Sequence, residues 1–558
     1  MKKALLSFAT LGLLASSSIA HAIDFSAHGY YRLQGEYSNN LDLQSPSDIH
    51  QGTQGDNDRF RSITYGQQRF RIDPALKISD NISFHGQIDL LDNVIFGKSD
   101  TRQLTVYNPL AGTLSVPGAS GAFGVTGGSG GDPTTGGGGN VNVRRLYVDL
   151  LTPMGKFRLG RQGSHWGLGI LQNDGNDRDA NFGDTFDRFL YIGKLDFKDG
   201  SDLAFATSID FAYNSNNNPA MGGLERGTTG SAHDTYQFSQ VLLYQRPTFE
   251  FGVVGGLRFR NGTGNFSAAL DSTGATVPGA KDGDTRTYFI DAYSKWQHDW
   301  LTIKGEYVYL GGKFSPGICI NGTQFPNTGT TISPFCLSDT KDLSVSMGAL
   351  EAEAKFNQEE IKLISGYAQG DASPLSSKIT QFGFRPDYHI GLMMFQMPLG
   401  TSPAIQVAGV TRAGNNPITS NYVNNAVYVG LTYKHRFDLA DYIPQAQWLK
   451  LGAHVVTAWA PSRTFDYNFA ELTGVGSLPH VYNDSRWYGV ETDLLVEARF
   501  FDHVYWNLTG GVMLPGAAYN IKNDDLANAS LTGSPMNSII FDPANVAFAV
   551  RSTLMFEF

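Results

Sequence analysis

Charged side chains recur in this sequence at every second position, inside segments whose intervening positions are apolar. Arg69 and Arg71 alternate with Phe70 and Ile72. Arg32 shares a parity with Glu36, and Arg145 with Asp149. The basic members of the set include Arg32, Arg69, Arg71, Arg145, Arg158, Arg188, Arg258 and Arg260, and the acidic members include Asp89 and Asp149. Guanidinium groups on the wall of a narrow, low-dielectric passage attract carboxylates, sulfates and phosphates. Between residues 66 and 190 the arginines make one side of such a wall basic. The competing reading is structural: opposite charges facing each other across strands stabilise a sheet and simply fill its inner face.

A second cluster is the run Asn173-Asp174-Gly175-Asn176-Asp177-Arg178-Asp179-Ala180-Asn181, with Asp184 and Asp187 close behind. Its oxygens suit calcium, but Gly183 lies at the wrong offset and no Glu closes the loop, so no metal is assigned. A solvated polar loop is the simpler account, and a loop folded inward to narrow a passage is the third. Catalysis is not expected. His28, His85 and His454 share the charged parity, yet none forms a nucleophile–base–acid set. The Gly-rich stretch from Gly127 to Gly139 lacks the Lys-Ser/Thr pair and the helix of a phosphate cradle, and no cofactor is implied. A formal charge of -10 argues against nucleic acid as a partner.

What must position these side chains is a set of strands. From Asp24, Phe25, Ala27, Gly29, Tyr31 and Leu33 take one parity and Ser26, His28, Tyr30 and Arg32 the other. Side chains alternate faces along a strand, so one face meets hydrocarbon and the other water. Similar segments fall near 69–78, 82–90, 141–152, 156–162, 185–198, 202–213, 234–246, 249–261, 285–297, 300–312, 341–356, 360–370, 423–437, 447–459, 486–501, 504–515 and 541–558. That makes about eighteen, an even number as a single-chain bacterial barrel requires. Short connections such as Ser79–Asn81, Pro153–Gly155 and Asp502–His503 alternate with long ones such as 96–140, 163–184 and 371–422. The expectation is one transmembrane antiparallel β-barrel over 23–558, with short periplasmic turns and long external loops. Pro74 removes one ladder bond, and a bulge is expected there.

Residues 1–22 read as an export signal. Lys2 and Lys3 precede an apolar stretch, and Ala20-His21-Ala22 fits a small-x-small cleavage site. No later apolar run approaches the roughly 20 residues of a spanning helix. Cys319 and Cys336 fall in one loop, and in an oxidising envelope they are expected to form a disulfide. The long loop at 371–422 contains a turn around Pro386-Asp387, then the apolar run Ile390-Gly391-Leu392-Met393-Met394-Phe395. Three placements are open for that run: a plug in the lumen, a patch on the rim, or a self-packed hairpin without a gating role.

Phe157-Arg158-Leu159-Gly160-Arg161-Gln162 resembles a strand end of porin-type barrels and is similar to a stretch of the alginate-export family. The alternating segment that ends at Phe558 resembles the assembly signal of outer-membrane barrels. The alginate-export resemblance implies an eighteen-stranded barrel with an arginine-rich lumen that conducts an anionic polysaccharide outward, though the many lumen acids depart from that pattern. The leading expectation is an outer-membrane channel for passive diffusion of small polar or anionic solutes through a charged lumen, with membrane lipid as its surroundings. The alternatives are the polysaccharide conduit and a barrel-anchored adhesin or receptor. A homo-oligomer is open, and no flat apolar outer wall marks one.

Overall fold

A computed structural model describes residues 24–43, 62–96, 141–212, 235–260, 285–314, 341–372, 376–400, 418–419, 421–468, 480–520 and 544–558, with short backbone pieces at 105–106, 114–115, 318–320, 335–337, 405–407 and 410–412. The expected export signal at 1–22 and the Gly-rich stretch lie outside these residues.

Eighteen antiparallel strands follow one another in chain order. They are β1 (Asp24–Asn39), β2 (Ser62–Ser79), β3 (Ile82–Ile95), β4 (Val141–Thr152), β5 (Gly155–Gly163), β6 (Thr185–Asp196), β7 (Asp202–Ala212), β8 (Thr235–Arg246) and β9 (Phe249–Arg260). Then come β10 (Thr285–His298), β11 (Leu301–Phe314), β12 (Lys341–Phe356), β13 (Glu359–Ala368), β14 (Ala426–Asp438), β15 (Ala446–Trp459), β16 (Trp487–Phe500), β17 (Val504–Pro515) and β18 (Ala547–Glu557). Each pairs with its predecessor, and β1 pairs with both β2 and β18, so the sheet closes on itself. The two residues Lys378–Ile379 add a short parallel piece beside the start of β12. All eighteen segments expected from the alternation are strands.

The two faces differ as the alternation requires. Leu146, Ile290, Leu431 and Leu494 stand exposed on the outside, Leu494 at 67%. Arg32, Arg69, Asp89, Asp210, Asp291 and Glu491 are buried on the inside, each at 1% or less. An outer surface this apolar needs hydrocarbon around it. Phe197, Phe249, Trp296, Trp300, Phe356 and Phe501 are exposed beside the short turns, where an aromatic girdle belongs. The tight turns place Asp299, Asn357 and Asp502 at positive φ (41°, 56° and 61°). Asp and Asn tolerate that conformation best among residues with a side chain.

Two irregularities matter for the interior. Between Phe70↔Leu90 and Gln68↔Val94, the single residue Arg69 faces three residues of β3. Leu91 and Asn93 take positive φ there, and the bulge delivers Asp92 and Asn93 to the inside. On β4 the register slips between Gln87↔Arg145 and Ile88↔Val143, leaving Arg144 unpaired with β3. No slip occurs at Pro74, contrary to expectation: Ile72↔Ile88 and Ala75↔His85 keep one register. Gly86 lies against the Pro74 ring, where an added Cβ would come within 3.1 Å of it, so the strand takes the ring without bulging.

Candidate functional site

Arg32 and Arg69 stand directly opposite each other on β1 and β2, a like-charge pair that destabilises a bare sheet. Acceptors from other elements hold them. Arg32 donates to the carbonyls of Arg178 and Ala180, each at 3.0 Å, and to Asn93 Oδ1 (2.9 Å) and Asn181 Oδ1 (2.7 Å). Arg69 donates to Asp92 Oδ1 (2.7 Å) and to the Ala180 carbonyl (2.9 Å). Arg71 forks onto Asp89 at 2.6 and 2.8 Å and reaches the Gly175 carbonyl at 3.3 Å. Arg144 donates to the Phe182 carbonyl (2.9 Å) and Arg145 to that of Asp174 (2.6 Å). The segment 174–182 has no helix or sheet to pair its carbonyls, and buried carbonyls must find donors. The basic wall supplies them, and the loop between β5 and β6 is thereby folded into the barrel.

Carboxylates of the opposite wall do the converse. Glu491 on β16 accepts the backbone N–H groups of Leu392 (2.6 Å), Met393 (2.7 Å) and Met394 (2.5 Å), and Asp493 also accepts from Leu392 (3.3 Å). His454 Nε2 lies 2.7 Å from the Ile390 carbonyl. Glu306 on β11 accepts the Leu168 N–H. The apolar run of the long loop is buried: Ile390 2%, Leu392 4%, and Met393, Met394 and Phe395 0%. It forms one cluster with the inward residues Val345, Met347, Ile364, Tyr428, Val456 and Met513. Of the three placements open in the sequence, the lumen is the one found. Phe395 takes φ 60°, which costs a non-glycine residue about 1–2 kcal/mol. Its burial and edge contact with Tyr488, at 5.3 Å, hold it there.

The two inward loops also hold each other. Arg385 pairs with Asp184 and its N–H donates to the Ile170 carbonyl at 2.9 Å. Asp387 accepts the N–H groups of Asn181 (2.8 Å) and Phe182 (3.1 Å). His389 Nδ1 meets Asp179 at 2.8 Å. Burial alone would lower the His389 pKa, but the Asp179 carboxylate and their hydrogen bond hold it above its ordinary value. Partial burial would raise the Asp179 carboxyl, and His389 holds it well below the usual carboxylate range.

The remaining expected residues fall as follows. Arg158 forks onto Asp149 at 2.6 and 2.8 Å, with Lys156 also on Asp149 at 3.3 Å. Arg188 forks onto Asp210 at 2.5 and 2.9 Å. Arg258 donates to Gln237 Oε1. The side chain of Arg260 lies outside the described residues. The basic wall of β1 to β4 therefore does not face open water: its arginines are occupied by the loop and by neighbouring acids. In the oxygen-rich run, Asp174 serves Arg145, Asp179 serves His389 and Asp184 serves Arg385. Asp187 pairs with Arg161. The backbone register sets Cys319 opposite Cys336. Ser83, His85 and Asp149 come together, but Ser83 Oγ (3.0 Å) and Asp149 (3.9 Å) both face His85 Nε2. One nitrogen cannot relay between them, and the relay needs both.

The alternation does not single out Arg144, Asp92 or Asn93, and the sequence marks Arg385 and Asp387 only as parts of a turn. For Arg144 a signal existed. Strict alternation sends one member of Arg144-Arg145 to lipid, at about 2–4 kcal/mol near the midplane, and a bulge that turns both inward removes that cost.

No protein-family model matches the chain, and no curated protein matches it. Solved structures similar to it include Pseudomonas aeruginosa OpdR, with 10% identity and a TM-score of 0.41 over 95% of this chain and 96% of that one. A BenF-like porin from Pseudomonas fluorescens is 9% identical, with a TM-score of 0.41 over 96% and 98% of the two chains. OprB of Pseudomonas putida is 10% identical, with a TM-score of 0.38 over 96% and 94%. Likenesses of this size leave the function to the geometry above.

Proposed function

We propose that the chain is an outer-membrane channel through which small polar solutes diffuse passively, by a route that two inward loops make narrow and selective. The observation that carries this reading is the pair of opposed surfaces: an apolar outer belt, and an inner wall whose charged groups hold the loops 164–184 and 376–400 across the barrel. Eighteen strands enclose more space than their own side chains fill, and loops anchored this way set a fixed bore. Solutes move down their gradient, and bore and wall charge select among them.

Toward the short turns the inner wall balances its charges. Lys434 meets Glu497 at 2.7 Å, Lys450 meets Glu360 at 2.9 Å and Lys362 meets Glu351 at 3.0 Å. Any anion preference therefore arises elsewhere along the route. The alginate-export resemblance gains nothing here: Arg69 and Arg71, which would line a polymer conduit, are buried beneath a loop.

Conductance across a planar bilayer tests the proposal. Steady open steps, together with swelling of barrel-loaded liposomes in small sugars, are expected. A folded barrel that stays silent in both assays defeats the channel and favours an anchor for the external loops.

A further inference from the structure

One inward arginine differs from the rest. Those of β1 to β6 are paired with carboxylates or, like Arg32, locked onto the inward loop through its carbonyls and the Asn181 side chain. Among the described residues, Arg258 on β9 donates only to a neutral amide, from Nε (3.0 Å) and Nη2 (2.7 Å) to Gln237 Oε1. It is also exposed, whereas Asp210 and Gln237 are buried.

Its orientation is fixed by a straight transverse row. Arg188↔Asp210, Asp210↔Gln237 and Gln237↔Arg258 are each directly opposite in the ladder, one residue per strand from β6 to β9. Arg188 forks onto Asp210. Asp210 accepts from Gln237 Nε2 at 2.9 Å, which fixes the amide so that its oxygen points at Arg258. The row ends there, because the next position, Thr287 on β10, carries no charge. The carboxylate of Asp184 nearby is held by Arg385 and by the Asn173 N–H. Gln237 occupies the Nε/Nη2 edge of the guanidinium, and the Nη1/Nη2 edge keeps two parallel donors for a planar oxyanion.

We propose that Arg258 is an oxyanion-binding group of this lumen, oriented by Gln237 and Asp210, and that it takes the carboxylate of a small solute on its open Nη edge. Such a group exchanges bound water for solute without breaking an ion pair or a tie to the inward loop, which the other arginines of this row and of β1 to β5 cannot do. The proposal deepens the channel reading and rests on it.

The test uses the full barrel in planar bilayers under a potassium chloride gradient, with acetate as the probe. Wild type is expected to prefer anions, and added acetate to reduce the chloride current saturably. Arg258→Gln should lower the anion-to-cation permeability ratio by about fivefold, the effect of one unit charge at contact distance in water. Gln237→Glu keeps the arginine but pairs it, and should lower the ratio similarly. Arg258→Lys should keep the chloride preference and lose the acetate effect, since an ammonium offers no two-toothed edge. Heat-shifted gel migration identifies the folded variants. If a conducting Arg258→Gln barrel keeps both the ratio and the acetate effect, the assignment of Arg258 fails while the channel stands. A wild-type barrel that never conducts overturns the channel, and this proposal with it.

Discussion

Replacing Glu491 with leucine should release the apolar loop from the wall without dismantling the barrel. Glu491 is fully buried and accepts three consecutive backbone N–H groups, from Leu392, Met393 and Met394. In the variant the Leu392 N–H keeps Asp493 at 3.3 Å, while Met393 and Met394 lose their acceptor. An orphaned buried donor costs about 1–3 kcal/mol, so two cost about 2–6 kcal/mol. Against this, burial of Leu392, Met393, Met394 and Phe395 contributes about 1.5–3 kcal/mol each, or about 6–12 kcal/mol together. The apolar term is the larger, so the loop stays inside but opens more often. A loss of about 3 kcal/mol raises the open fraction by about a hundredfold. Hydrogen exchange followed by mass spectrometry in detergent reads this as a drop in protection confined to a peptide spanning 390–397, with the strands unchanged. Unchanged protection of that peptide in folded Glu491→Leu would falsify the idea that the carboxylate anchors the loop.

Other expectations are more local. Leu494→Arg places a charge on the outer wall of β16, where Leu494 is 67% exposed. Refolding into lipid bilayers should show a loss of about 2–4 kcal/mol near the midplane, and a neutral outcome would contradict the lipid-facing assignment. Followed by NMR, the His389 imidazole should titrate above about 6.5 and return toward that value in Asp179→Asn. Since the folded pKa is raised, the tie between the loops is complete below about pH 6.5 and fades as pH rises through the folded value. Asp179, held low, retains its part down to strongly acidic pH. The Asp179 side chain is 59% exposed, so the tie is worth about 0.2–1 kcal/mol. Cys319 and Cys336 should resist maleimide until a reductant is added; labelling of both without it would refute the disulfide expected from their placement opposite each other.

The strands were legible because a wall between lipid and water imposes period two on every crossing. That signal misleads where the backbone departs from it. Arg144 reads as lipid-facing by parity and is turned inward by a one-residue slip, and Asp92 and Asn93 enter through a bulge that their own sequence hardly marks. The arginines of β1 to β4 were legible as an inward basic face, but their partners were not. Those partners are largely backbone carbonyls of 174–182, and any residue type supplies a carbonyl. The apolar run 390–395 stood out as unusual, yet its destination depended on Glu491, about a hundred residues further along. Pro74 needed no bulge because of a glycine on the neighbouring strand, a fact of register rather than of local sequence.

The two inward loops reach different sectors of the same ring. One is bonded to β1 to β4 and to β11, the other to β15 and β16, and they are joined to each other by Asp387, Arg385 and His389. A hollow cylinder one strand thick is easily squashed into an oval, because bending about the strand axes breaks no hydrogen bond. Spokes that cross the interior resist that flattening. Changes in lateral pressure from the surrounding lipid should therefore leave the cross-section of this barrel unchanged, and the channel proposed above would keep an aperture indifferent to the membrane outside.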